Sequence, residues 1–132
     1  MVKAPKVNRE RAARTETELT LIDVLQVARQ AAEAKKAEHI LVLNVSEQAN
    51  FADYFLICSA QTELHAQAIA DHTVSELARY DIIPDGLAGY QHGDWILIDY
   101  GLLMVHVFLP RTREFYRLEE LWAAAQEVEL KD

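Results

Sequence analysis

The chain has 132 residues, 51% of them apolar, enough to bury one core unaided and too apolar for wholesale disorder. Its formal charge is −8, unevenly spread: Lys3, Lys6, Arg9, Arg11 and Arg14 against Glu10 leave residues 1–14 at +4 and the remainder at −12. So acidic a body excludes broad docking on phosphate backbones, which needs clustered Lys and Arg, and suits either a basic protein partner or solubility alone.

No apolar run reaches the ~18–20 residues of a membrane span. The start lacks the apolar stretch of a secretory signal. Cys58 is the only cysteine, which fits a reducing compartment, so a cytoplasmic location is expected.

Residues 1–18 lack apolar periodicity and are expected to form a basic flexible tail. Any contact with nucleic acid falls to that tail. A single domain is expected over 19–132. It opens with a helix: Thr20 and Asp23 form a weak capping box. Leu21, Val24, Leu25, Ala28 and Ala32 fall at helical spacing, with Arg29 and Glu33 opposite. Residues 40–45 read as a strand covered on both faces. Residues 53–59 read as a second strand. Thr62 or Ser59 caps the next helix, which runs to about Tyr80 with Ala66, Ile69, Ala70, Thr73 and Leu77 inward.

Pro84, Gly86 and Gly89 punctuate a loop, and 87–90 is a short strand. Residues 95–100 and 102–109 form a hairpin turning at Gly101, at one edge of the sheet. Pro110 ends the last strand, and Leu118, Leu121, Trp122 and Ala125 mark a C-terminal helix. The fold class is α/β, a mixed sheet flanked by helices. Strands and helices do not alternate strictly, which disfavours a doubly wound nucleotide fold.

Chemistry-bearing motifs are sparse. His65 and His72 are seven apart on one helix, not at the i, i+4 spacing of a zinc helix, and His106 reads as a hydrogen-bonded sheet residue. No metal site and no cofactor is expected. Cys58, in an apolar strand, reads as an inert buried thiol. There is no phosphate-binding glycine loop and no paired carboxylate on a strand. Asp53, Asp94 and Asp99 read as turn or cap residues. Arg113 with Glu119 and Glu120 reads as surface pairs orienting the last helix. On the strand from 95, Trp95, Leu97 and Asp99 share one face and Ile96, Ile98 and Tyr100 the other. Trp95 is either a docking aromatic or a core residue at the sheet margin.

Residues 53–72 (DYFLICSAQTELHAQAIADH), 93–110 (GDWILIDYGLLMVHVFLP) and 111–122 (RTREFYRLEELW), in that order, resemble the ribosomal silencing factors, also called Iojap-like proteins. The resemblance covers residues 19 to about 125. It implies a nucleotidyltransferase-like fold without the catalytic residues, and no enzymatic activity. It implies docking on the large ribosomal subunit through ribosomal protein L-fourteen, blocking small-subunit joining and repressing translation when nutrients are short. It also implies homodimers. The family's partner-binding tryptophan corresponds to Trp95. Asp94, Asp99, Tyr100, Met104 and His106 lie in the same segments and are carried over as partner-binding candidates. Two departures stand out: Ala60 occupies a turn where the family has glycine, and Leu102 after Gly101 puts an apolar side chain at the hairpin tip. The competing expectations are a nucleotidyltransferase-like enzyme and a homodimeric ribosome-assembly scaffold.

Overall fold

A computed structural model describes residues 19–130; the expected tail over 1–18 lies outside them. Six strands form one mixed sheet in the order β3-β4-β5-β2-β1-β6. The elements run α1 (Leu21–Ala34), β1 (Glu38–Asn44), β2 (Tyr54–Ser59), α2 (Glu63–Ala78), β3 (Gly86–Ala88), β4 (Trp95–Asp99), β5 (Leu103–Phe108), α3 (Pro110–Tyr116), α4 (Leu118–Leu121) and β6 (Gln126–Glu127). Only the central β2–β5 pair is parallel; every other neighbour is antiparallel.

The capping box is present in full. Asp23 N donates to Thr20 Oγ1 at 3.1 Å, and Thr20 N donates to Asp23 Oδ2 at 3.0 Å. This satisfies two of the donors a helix start leaves open. Along α1 the buried stripe is Val24, Leu25, Ala28, Ala31 and Ala32, while Arg29 and Glu33 pair at 3.9 Å. Of the two candidate caps for α2, Thr62 takes the role, accepting from His65 N at 3.0 Å. The inward residues of α2 are the five expected.

Alternation along the strands divides the core into two layers. On one face Val42, Leu56, Cys58, Ile96, Ile98, Leu103, Val105 and Val107 pack under α1 and α2. On the other face Leu43, Phe55, Ile57 and Phe108 form a smaller core, roofed by Leu118, Trp122 and Ala125 from the C-terminal segment. Short helices cover less than long ones, so this second face keeps exposed apolar side chains. Phe51, Phe115, Tyr116 and Leu121 are all more than half exposed.

The structure corrects three expectations about the fold. The hairpin of β4 and β5 is not at the sheet edge, because β3 pairs outside β4. The C-terminal helix expected from Leu118 to Ala125 is a single turn, α4, followed by β6, and a short helix that the sequence did not announce, α3, precedes it. Pro110 ends β5 and also opens α3 at its first turn, where a missing N–H costs nothing. Arg117 then adopts φ 47°, ψ 52° and breaks the path before α4. A left-handed arginine carries no glycine signature, so nothing in the local sequence announces this break. Leu102 does not project from the hairpin tip: it is buried, and its carbonyl accepts from Asp53 N and Tyr54 N at 2.8 and 2.9 Å. Ala60 is not among the residues with positive φ, so its turn needs no glycine.

Candidate docking face

The segment entering β4 is pinned at several points. Tyr90 Oη donates to Asp71 Oδ2 at 2.9 Å and Gln67 Nε2 donates to Tyr90 O at 2.7 Å, tying the loop to α2. Gly89, at φ 77°, lets the loop press against the Trp95 carbonyl; a Cβ there would collide with that oxygen. Leu109 N donates to Asp94 O at 3.0 Å and closes the far end of the hairpin.

Trp95 therefore starts β4 from a fixed backbone and lies half-buried on the second face of the sheet. It is a residue of the sheet margin, packed against the second core with part of its ring left exposed. Its ring packs on Phe108, directly across the ladder, and on Tyr116 of α3, each at 4.8 Å between centroids. Its Nε1 donates to His106 Nδ1 at 3.1 Å. From there aromatic contacts continue in both directions. Tyr116 meets Phe115 at 5.0 Å, His106 meets Phe55 at 4.8 Å, and Phe55 meets Trp122 at 5.4 Å. Phe51 completes the row against Trp122 at 6.1 Å. Such edge and tilted contacts hold the rings rigidly in place. The outer members stay exposed, so the face offers a stiff apolar surface of the kind that marks protein docking.

The residues carried over with Trp95 divide by position. Asp94 is exposed beside it. Asp99, at the other end of β4, caps the hairpin turn by accepting from Gly101 N at 2.7 Å. Met104 is half-buried on the same face. Asp99 and Met104 join Asp53, Asp85 and Phe51 around an open depression next to the aromatic row, where clustered carboxylates favour a basic side chain. Tyr100 and His106 are not surface groups. Tyr100 is buried on the opposite face, among the residues under α1 and α2, and burial holds its hydroxyl deprotonation above the usual range. A strand residue one place further on points the other way, so it cannot share the face of Trp95. His106 is on the right face but is buried behind Trp95. Tyr116 and Phe115 are the surface residues that the sequence reading passed over. Their signal, two adjacent aromatics after Pro110, becomes legible only once α3 is seen to fold over β4.

Burial also shifts His106, lowering its pKa from 6.5 to about 4. The unfolded chain takes up a proton near pH 6.5 that the folded chain refuses until about pH 4. Stability is thus complete above pH 6.5 and falls as pH drops through that window. The cost by pH 4 is roughly 3 kcal/mol at 1.36 kcal/mol per unit. Urea melts at pH 7 and pH 4.5 check this; His106→Asn should flatten the difference across that interval.

The other titratable candidates are structural. His65 Nδ1 accepts from Gln61 N at 2.9 Å, and its Nε2 is 2.6 Å from Lys35 O. Cys58 is buried, its pKa pushed up to about 12, so it is a thiol and not a nucleophile. Among the described residues no three His, Cys, Asp or Glu side chains gather as metal ligands, and no helix is long and apolar enough to cross a membrane. Arg113 differs from its sequence reading. Its side chain is 12% exposed, pairs with Glu119 at 2.9 Å, and leaves Glu120 to Arg117 at 3.9 Å.

A mixed α/β domain with a partly exposed aromatic face has the surface of a candidate binding module. Comparison with known proteins gives its kind. Residues 18–132 match the family described as "Ribosomal silencing factor during starvation". The chain is 42% identical over 110 residues to the ribosomal silencing factor of Halalkalibacterium halodurans, covering 83% of this chain and 93% of that one. It is 36% identical over 102 residues to that of Bacillus subtilis, covering 77% and 86%. A crystal structure of a Bacillus halodurans protein superposes with a TM-score of 0.73 at 39% identity, over 82% of this chain and 98% of that one. The chain belongs to the ribosomal silencing factor family, which is defined by a regulatory task and not by an enzymatic one.

Proposed function

We propose that this protein docks on the large ribosomal subunit through the Trp95 face, meets ribosomal protein L-fourteen there, and so keeps the small subunit from joining. Translation is repressed by occupancy alone, in the cytoplasm and when nutrients are short, and the fold serves as a scaffold with no nucleotidyl transfer. The observation that carries this reading is the aromatic row from Phe115 to Phe51, exposed at both ends and running through Trp95. Around it Asp94, Asp99, Asp53 and Asp85 supply acidity suited to a basic protein and hostile to bare RNA. Met104 belongs to the contact; Tyr100 and His106 support it from beneath. A homodimer burying the same face would compete with docking.

Gradient sedimentation of purified subunits tests the proposal. Saturating protein should shift joined particles to free subunits and co-migrate with the large one. Normal yields of joined particles would overturn it.

A further inference from the structure

His106 is 4% exposed, yet it forms a hydrogen bond with a half-exposed tryptophan. Its ring is parallel to that of Phe108, 8° apart in plane, and edge-on to Phe55 at 67°. Packing therefore fixes the imidazole before any partner arrives. The Trp95 indole N–H can only donate, so His106 Nδ1 must be the bare nitrogen and its proton must be on Nε2. That Nε2 is buried with no hydrogen-bond partner among the described residues. The other tautomer would set two N–H donors against each other. The fold thus tolerates one orphaned donor and commits the only acceptor of a buried imidazole to Trp95. A core histidine with a purely structural task would gain more by satisfying its own N–H.

We propose that His106 is a positioning residue for docking: by accepting the indole N–H it turns the one polar atom of Trp95 inwards, so that a partner meets the ring surface and not a hydrogen-bond donor. The matching group on the partner is an aliphatic stem or a cation laid on the ring. A carbonyl or carboxylate that needs the indole N–H would find it already taken. The proposal rests on the Trp95 face being the docking face, and it deepens that reading by stating how Trp95 is held and offered.

The test pairs the free protein with large-subunit binding. In His106→Leu the indole N–H of Trp95 should lose its protection from solvent exchange by NMR. Affinity should fall roughly fivefold to tenfold, the scale of one lost neutral hydrogen bond. His106→Asn, which keeps an acceptor close to the Nδ1 position, should restore protection and affinity together. A merely structural histidine would not show that paired rescue. If His106→Leu is poorly folded, His106→Phe keeps the stacking on Phe108 and serves the same comparison. Wild-type affinity in the acceptor-free variant, alongside weak binding by Trp95→Ala, overturns the proposal and leaves the docking face standing. Wild-type binding by Trp95→Ala overturns both.

Discussion

Trp95→Ala should weaken binding to the large subunit by roughly thirtyfold, the ~2 kcal/mol that truncating a central interface tryptophan costs. The expected loss has two sources. The exposed part of the ring is contact area removed directly. The buried part is the packing that fixes Tyr116 and Phe108, which lie against the indole at 4.8 Å. Tyr116 carries Phe115 with it, so the outer end of the row loses its order as well. Because Trp95 is half-buried, the variant also loses stability, by about 2 kcal/mol, below the range for a full core truncation. Binding must therefore be measured where circular dichroism shows the variant folded. Trp95→Phe separates the two contributions: it keeps packing on Phe108 and removes the donor to His106. A dissociation constant for Trp95→Ala equal to wild type would take Trp95 out of the interface.

Most of what positions this face was legible in the sequence, for identifiable reasons. Strict alternation on 95–99 assigns Ile96 and Ile98 to one layer and Trp95 and Asp99 to the other, and the structure keeps that division. Thr20–Asp23 and the stripe of α2 followed from local spacing. What was not legible depends on contacts distant in sequence. Tyr100 is not such a case: the alternation from Trp95 already sets it on the opposite face, against the motif match that grouped it with the partner-binding residues. The division of the C-terminal segment at Arg117 has no glycine or asparagine to announce it. β6 is two residues long, and it forms because the edge of β1 offers it a ladder at Leu43 and Asn44. Tyr116 joins the site because α3 folds over β4, a tertiary event with no periodic signature.

The same argument gives Arg113 the largest expected effect on stability. β1 carries an irregularity between Glu38 and Leu41, where its register against β2 shifts. His39 there has φ 52°, and its carbonyl accepts from Arg113 Nη1 at 2.9 Å. The same Nη1 donates to Ser59 Oγ at the end of β2 at 2.8 Å, and Nε donates to Glu119 Oε2 in α4 at 2.9 Å. One guanidinium thus joins two strand ends to the segment that roofs the second core. Its planar fork reaches all three acceptors, which an ammonium cannot do with the same geometry. Arg113→Ala leaves Ser59 Oγ without that donor and the Glu119 carboxylate part-buried without its cation. The loss should be about 3–4 kcal/mol, near the lower end for breaking a buried pair because Glu119 keeps some solvent.

The unfolding should be graded. Leu118 and Trp122 leave Phe55 first, so Trp122 emission shifts and a hydrophobic dye binds before the far-ultraviolet signal falls. Arg113→Lys should recover less than half of the loss. Large-subunit affinity should drop with the same variant, since α3 and α4 carry Tyr116 and the cover beside Trp95. If Arg113→Ala instead unfolds at the wild-type urea midpoint, the roof is held by the packing of Leu118 and Trp122 alone. The link from β1 through Arg113 to the docking face is then absent.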